Sequence, residues 1–442
     1  MQIAPDDVHK ILRKYILADG YEVVMDLQKS HGSFFYDSRG NRKMLDFFTF
    51  FASSPIGYNH PKLKEEAFLE KLNRVAVTKP SNSDIYTPEY AEFIDAFAKI
   101  AKPDIFKYLF FVSGGALAVE NGIKTAFDWK VKKNLKKGKK GELGTKVIHF
   151  EQAFHGRTGY TLSLTNTFDP RKTRYFPKFD WPRFKNPKLY FPITTDEIER
   201  VSALEKKVIE AIKETIRQEG DDIAAIIIEP IQGEGGDNHF RKEFLKAIEL
   251  ISKENDIMFI LDEVQTGVGL TGKMWCYEHF DLSPDIVAFG KKTQVCGIMV
   301  GERVDEVENN VFKESSRLNS TFGGNLVDMV RCQRYLEIIV EEGLIDNAAN
   351  VGTYLLEKLV ELSRDFSNMI SNVRGRGLMI AFDLPDTALR DRVFNNCFDE
   401  NLLVLKSGER SIRFRPPLNL SKEEADMGIN ILRKIMQGIK SA

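Results

Sequence analysis

Cysteine is scarce. The four present, Cys276, Cys296, Cys332 and Cys397, lie far apart and form no CxxC pair. This spacing argues against a metal site of the zinc type and against a disulfide framework, and it points to a reducing cytoplasm as the compartment. Long hydrophobic runs are missing too: no stretch of roughly 18 apolar residues occurs, so no transmembrane helix is expected. The opening Met1-Gln2-Ile3-Ala4-Pro5-Asp6-Asp7 has no basic segment leading into an apolar one, the pattern that marks a secretory leader. There is no excess of charge of either sign. Lys and Arg number 63 against 64 Asp and Glu, a formal net charge of -1, which removes any general electrostatic case for nucleic acid or an anionic membrane. The one local exception is the lysine-rich stretch from Lys130 to Lys146, which reads as a solvated surface loop. No internal repeat is visible.

What remains is the composition of an ordinary soluble protein, with 43% hydrophobic and 29% charged residues. At 442 residues the chain exceeds what one simple core accommodates, so two or three packed lobes are expected. Helical spacing of Val8, Ile11, Leu12, Tyr15 and Ile16 predicts a helix over 6–18. A strand-like stretch at 32–37 and an aromatic run at 45–51 follow. The middle of the chain alternates apolar strands, at 108–112, 146–150, 224–229, 257–262 and 286–289, with amphipathic helices at 116–130, 197–219 and 240–254. Such alternation predicts an α/β fold with a mostly parallel sheet covered by helices. The tail reads as helices at 329–341 and 347–363, strands at 377–384 and 411–414, and helices at 386–400 and 421–439. A smaller α/β lobe beginning near residue 335 is the expectation.

Open α/β sheets bind ligands beyond the carboxyl ends of their strands. Four such ends carry chemistry. The 257–262 run closes on Asp262-Glu263-Val264-Gln265-Thr266-Gly267, and the next strand runs into Gly290-Lys291. A carboxylate and a lysine at neighbouring strand mouths are more often a plain structural ion pair than a reactive one. The 108–112 strand leads into Ser113-Gly114-Gly115-Ala116 and then a helix, so that small residues let backbone N–H groups approach a phosphate at a helix N-terminus; a plain turn would look the same. The 146–150 strand leads to Phe154-His155-Gly156-Arg157, an aromatic ring and a fixed cation on the same edge, and Phe154 alone reads equally as core. Together they match what pyridoxal phosphate needs: a phosphate cradle, a carboxylate for the pyridine nitrogen, a Schiff-base lysine and a group stacked on the ring.

Ile260-Leu261-Asp262-Glu263-Val264-Gln265-Thr266-Gly267-Val268-Gly269, followed by Asp285-Ile286-Val287-Ala288-Phe289-Gly290-Lys291, resembles the signature of the class III aminotransferases. The resemblance extends from Gly57-Tyr58-Asn59-His60-Pro61 to Arg413-Phe414-Arg415-Pro416-Pro417-Leu418. It implies aminotransferase fold type I, with a large cofactor-binding domain at 76–335 and a small domain assembled from 1–75 and 336–442. It implies pyridoxal 5'-phosphate, a homodimer with an active site shared across the interface, and 2-oxoglutarate as amino acceptor, giving L-glutamate. Within the family, Gly114 to Asn121, Glu229 to Gly236, Lys291 to Gly297 and Arg317 to Thr321 are most similar to the branch that removes the ε-amine of L-lysine. One departure is local. Most members carry Ser or Thr and then Glu-Ala where this chain has Gly115-Ala116-Leu117, which keeps the backbone donors and loses a hydroxyl contact.

By this resemblance Lys291 is the Schiff-base lysine and proton carrier, and Asp262 pairs with the pyridine N–H. Gln265 meets the ring O3′, Val264 and Phe154 cover opposite ring faces, and His155 and Glu229 complete the cofactor's surroundings. Gly115 and Ala116 offer amides to the phosphate, while Ser320 and Thr321 reach the cofactor of the partner subunit. Arg413 takes the carboxylate beside the reacting carbon of 2-oxoglutarate, and Glu234 neutralises Arg413 while a terminal-amine donor is bound. Arg157 holds the donor's distant carboxylate, and Gln265 and Asn319 also touch substrate. Lys292 competes with Lys291 by adjacency, but the family places a small residue before its reactive lysine, and Gly290 fills that position. Residue physics alone leaves ornithine and 4-aminobutyrate open as donors, since one methylene is worth only roughly 1–3 kcal/mol. It also leaves open a racemase, mutase or decarboxylase on the same cofactor, or a protein that merely binds it.

Overall fold

Six residues, Ile223 to Ile228, read Ile-Ala-Ala-Ile-Ile-Ile and all are buried. A strand with no polar side chain on either face is stable only where both faces are covered, which places it inside a parallel sheet. The computed structural model, which describes residues 3–441, puts this strand in a seven-stranded sheet. The order across the sheet is Phe106–Val112, Cys296–Gly301, Ile286–Phe289, Met258–Asp262, Ile223–Ile228, Lys146–Phe150, Arg183–Phe184. Ile286–Phe289, Met258–Asp262, Ile223–Ile228, Lys146–Phe150 and Arg183–Phe184 run parallel to one another. Cys296–Gly301 is antiparallel to both of its neighbours. It had not been expected from the sequence. It forms because Gly290 to Val295 turns the chain straight back, so that Lys291 sits on a reversal between two paired strands rather than ahead of a helix.

Helices close both faces. Gly115–Lys136 runs for 22 residues, Thr195–Glu219 for 25 and Lys242–Glu254 for 13. The lysine-rich stretch is therefore a loop only in part: its first seven residues continue a helix. Lys130, Lys133 and Lys137 recur on one helical face and converge on Asp256. Lys130 Nζ donates to the Asp256 carbonyl at 2.9 Å, and Lys133 and Lys137 each reach its carboxylate at 2.7 Å. Cations at the end of a long helix also suit its dipole. Lys130 is buried, and burial brings its pKa down to about 8 against the pull of Asp221 and Asp256.

The C-terminal segment adds a four-stranded antiparallel sheet of Ser371–Arg376, Met379–Asp383, Ser411–Phe414 and Leu405–Ser407. A three-stranded sheet ties the two ends of the chain together, with Leu402–Leu403 parallel to Arg42–Asp46, which in turn pairs with Phe34–Asp37. Leu344–Asp365 and Lys422–Lys440 pack beside these sheets. The first helix stops at Leu12, short of the expected Ala18, because Tyr15, Ile16 and Leu17 find nothing to cover them within the chain and stay exposed. The aromatic run behaves unexpectedly. After Asp46 the backbone enters a left-handed turn with positive φ at Thr49, Phe50, Phe51 and Ala52. Asp46 Oδ1 accepts from the amides of Phe48 and Thr49 at 2.6 and 2.9 Å, and Thr49 Oγ1 donates to the Arg415 carbonyl at 2.5 Å.

Two helical glycines test this packing in opposite directions. A Cβ on Gly352 would lie 2.2 Å from the Gly377 carbonyl, whereas one on Gly438 would meet nothing within 4 Å. Gly352→Ala should lower the unfolding free energy by about 1–3 kcal/mol through overpacking. Gly438→Ala should raise it by up to about 1 kcal/mol through helix propensity. Urea midpoints of the two variants, falling for one and rising or holding for the other, check the assignment.

Candidate active site

The carboxyl ends of the parallel strands open on one cavity of about 520 Å³. Alternation along Met258–Asp262 decides which carboxylate faces it. Asp262 lines the cavity, and Glu263 turns to the other side, where the amides of Cys276 and Tyr277 and the Thr266 hydroxyl occupy its oxygens at 2.9, 2.7 and 2.8 Å. Burial pushes Glu263 up to about 7 against those hydrogen bonds. Ala288 is the register partner of Asp262, so the chain leaving the neighbouring strand carries Lys291 over the same carboxylate. Lys291 has φ +53 and belongs to a short 3-10 turn with Lys292 and Thr293. A Cβ on Gly290 would sit 2.8 Å from Cys296 Sγ, which is why the residue before Lys291 is small.

Asp262 is held from two sides. His155 Nδ1 lies 2.8 Å from its Oδ2, and the Val264 amide donates to Oδ1 at 3.0 Å. His155 is fully enclosed. Burial disfavours its charge, but the hydrogen bond to Asp262 and the charges of Asp262 and Glu229 outweigh that and raise its pKa. Glu229 accepts from the amides of Phe154 and Gly233 at 2.9 and 3.0 Å, and burial pushes it up to about 7 against the pull of His155. Lys291 is shifted the other way. Burial lowers its pKa, Asp262 opposes this, and Arg413 adds to it. A lysine beside a carboxylate that still loses basicity is suited to chemistry as a neutral amine.

The opposite wall is cationic. Arg413 donates to Glu234 Oε2 at 2.6 Å and to Gln265 Oε1 at 3.3 Å, and Arg415 donates to the same Gln265 oxygen at 2.9 Å. Glu234 also bonds Lys172. Burial opposes the charge of Glu234, yet Arg413 and Lys172 together bring its pKa below the usual range. Lys292 points away from the cavity: its Nζ donates to the Gln265 carbonyl at 2.7 Å and faces the Ala52 carbonyl at 3.5 Å.

Of the residues singled out in the sequence, Gly115, Ala116, Phe154, His155, Arg157, Glu229, Glu234, Asp262, Val264, Gln265 and Lys291 line this cavity. Arg413 stands behind Glu234 and Gln265 and is buried. Asn319, Ser320 and Thr321 are not brought to the cavity of their own chain. They lie on a segment docked to Ser81 and Ser83 through the carbonyls of Thr321 and Ser320, with Asn319 and Thr321 exposed. Sequence reasoning missed Ser53, Gln294 and Cys296 on the cavity wall and Lys172 and Arg415 beside it. Arg415 stood inside a quoted motif and its spacing from Arg413 could have flagged it. Nothing marks Lys172 in Asp169-Pro170-Arg171-Lys172.

The residues present fit pyridoxal phosphate. Ala118 is the first residue of its helix whose amide meets a helical carbonyl, that of Gly114 at 3.0 Å. The amides of Gly115, Ala116 and Leu117 therefore have no partner within the helix, as expected of a helix N-terminus suited to a phosphate. Gly115 must be small for the same cavity to stay open, since a Cβ there would press on Val264 Cγ1 at 2.9 Å. Asp262, bonded by His155, offers a carboxylate at the other end of the space.

Comparison with known proteins agrees with this geometry. The model of the family described as aminotransferase class-III matches residues 16–436. An L-lysine-epsilon aminotransferase of Mycobacterium tuberculosis is 49% identical over 433 residues, covering 98% of this chain and 96% of the relative. One from Amycolatopsis lactamdurans is 48% identical over 428 residues, covering 96% and 94%. The solved structure of a lysine aminotransferase from M. tuberculosis in the internal aldimine form matches with a TM-score of 0.97 at 48% identity, covering 99% of this chain and 100% of that one.

The His155–Asp262 pair has a pH signature. Because the folded pKa of His155 is raised above its ordinary 6.5, the stabilisation by its charge is complete below that value and is lost as pH climbs through the raised one. His155→Leu leaves Asp262 buried and unpaired and should cost about 3–5 kcal/mol at slightly acidic pH. The deficit should shrink as pH rises from 6.5 through the raised value. A wild-type to variant gap in urea midpoint that stays flat across that range would contradict the charged pair.

Proposed function

The chain belongs to the class III aminotransferases, and from that membership we propose that it moves the ε-amino group of L-lysine to 2-oxoglutarate. The products are L-glutamate and 2-aminoadipate 6-semialdehyde, which closes on its own α-amine to 1-piperideine-6-carboxylate. The observation that carries the reading is the juxtaposition of Lys291 and Asp262 on adjoining strand ends inside one cavity. The choice of lysine as donor is supported by the likeness to L-lysine-epsilon aminotransferases over nearly the whole chain.

Bound pyridoxal phosphate supplies an electron sink for the carbon that carries the amine. The chain's residues do the rest. Asp262 would hold the proton on the pyridine nitrogen, and His155, which donates to Asp262, keeps that carboxylate aimed. The free amides of Gly115 and Ala116 take the phosphate. Phe154 and Val264 would confine the ring, and Gln265, whose side-chain oxygen is engaged by Arg413 and Arg415, would keep its amide nitrogen for the ring hydroxyl. Lys291 would hold the cofactor through its Nζ, and as a neutral amine it would carry the proton there, a role its lowered pKa supports.

Two substrates take turns in the two half-reactions of a ping-pong cycle. Arg157 receives the donor's distant carboxylate. Glu234, lying on Arg413 at 2.6 Å, masks that guanidinium while lysine presents a terminal amine, then releases it to the carboxylate of 2-oxoglutarate. Lys172 gives Glu234 a second cation to turn to. The proposed working unit is a homodimer in which Asn319, Ser320 and Thr321 serve the partner's site; their position away from the cavity of their own chain supports this. No helix among the described residues is long and apolar enough to cross a membrane. The four unpaired, buried cysteines support a cytoplasmic setting.

A donor panel tests the substrate: glutamate formation should be fastest with L-lysine and slower with ornithine and 4-aminobutyrate, and equal rates would remove lysine as the preferred donor. Lys291→Ala should lose at least about a hundredfold in turnover, and borohydride followed by peptide mapping should mark Lys291 and leave Lys292 untouched. Glu234→Ala should slow the two half-reactions unequally in stopped-flow spectra, with no loss of cofactor. Equal slowing in both would remove Glu234 from its switching role.

A further inference from the structure

A second cavity, of about 260 Å³, lies behind the loop that carries Glu234. Glu234 faces the first cavity, while Gly235 and Gly236 line the second, so the two share one wall. Three cations converge on the second cavity: Lys188, Arg374 and Arg410. Arg374 is buried and fixed as the floor. It pairs with Asp383 at 2.9 Å and donates to the Asp237 carbonyl at 2.8 Å, to Ser411 Oγ at 3.0 Å and to the Gly236 carbonyl.

Lys188 and Arg410 are not matched in this way. Lys188 Nζ donates to Gln152 Oε1 at 3.0 Å and has no carboxylate partner among the described residues. Arg410 has one carboxylate neighbour among the described residues, Asp383 at 3.8 Å, and otherwise donates to the Pro385 carbonyl at 3.4 Å. Asp383 is already engaged by Arg374, by Ser411 Oγ at 2.6 Å and by Asn372 at 2.9 Å. Glu409 stands at the exposed rim, and no ion pair joins it to Lys188 or Arg410. Burial lowers the Lys188 pKa, and Arg374, Arg410 and Arg200 lower it further against Asp383. Partly enclosed cations that lack a close carboxylate of their own carry an unmet cost that an anion removes.

We propose that this cavity binds a small oxyanion, a carboxylate or a phosphate, held between Lys188 and Arg410 above Arg374. The same Arg374 bonds the Gly236 and Asp237 carbonyls, and the Gly408 amide at the cavity edge donates to the Glu234 carbonyl at 2.9 Å. An occupant therefore touches the backbone that positions Glu234. The assignment is independent of the reaction proposed above, because neither Lys188 nor Arg410 has a place in it.

Calorimetric titration of the holoenzyme with inorganic phosphate, and separately with acetate, at ionic strength held constant with chloride, decides the matter. The expected result is saturable binding of at least one anion, weakened about tenfold by Arg410→Gln and by Lys188→Gln. Phosphate alone, acetate alone or both would identify the class of ligand. Arg410 is half-exposed, so its variant retains the fold and decides the question even where Lys188→Gln does not. No saturable binding of either anion, or binding that both variants leave unchanged, would overturn the site.

Discussion

The parallel pairing of Met258–Asp262 with Ile286–Phe289 is the constraint on which the site depends. Side chains on a strand alternate faces, so a slip of one residue would send Asp262 to the side that Glu263 occupies and bring Glu263 into the cavity. The register is secured on both sides by the core: Ile260, Leu261, Ile286 and Val287 are all fully buried. A slip would move those side chains as well, and the apolar packing that fixes them therefore also fixes where the carboxylate points. The site inherits its precision from a hydrophobic sheet that has no part in the chemistry.

Charge is graded across the cavity by the same architecture. At one end His155, Asp262 and Glu229 form a closed group in which burial and pairing oppose one another, giving an imidazole of raised pKa beside a carboxylate and a second carboxyl raised to about 7. At the other end Arg413, Arg415 and Lys172 face Glu234, Asp237 and Gln265. Arg415 is so deeply enclosed that its pKa falls to about 10 in spite of Asp237. The first group is rigid because each oxygen is bonded from an element of the sheet or its loops. The second is adjustable, since Glu234 has two cations within reach.

Much of this was legible in the sequence because it is written in apolar runs. The strands ending at Val112, Phe150, Ile228, Asp262 and Phe289 are short and mostly aliphatic or aromatic, all but the first are buried throughout or nearly so, and the residues that follow each of them line the cavity. What was not legible lacks that signal. Ser371–Arg376 is a strand of polar and glycine residues that forms because Met379–Asp383 gives it a partner. Cys296–Gly301 follows a reversal whose geometry depends on left-handed backbone at Lys291 and Gln294. The turn at Thr49 to Ala52 has no glycine to announce it and is held by tertiary bonds from Asp46 and to Arg415. In each case pairing or hydrogen bonding in the folded chain overrode the preference of the segment itself.

Two primary amines stand side by side in this chain, and burial makes both less basic. Basicity therefore cannot explain which of them would react with an aldehyde. The distinction is one of anchoring: the nitrogen of Lys292 is directed at the backbone oxygens of Gln265 and Ala52, closing the wall beneath the left-handed turn, while that of Lys291 opens on the cavity. Regioselectivity between chemically identical neighbours is thus a property of the backbone reversal that splays them, and the idle amine serves as the brace that keeps the other one free.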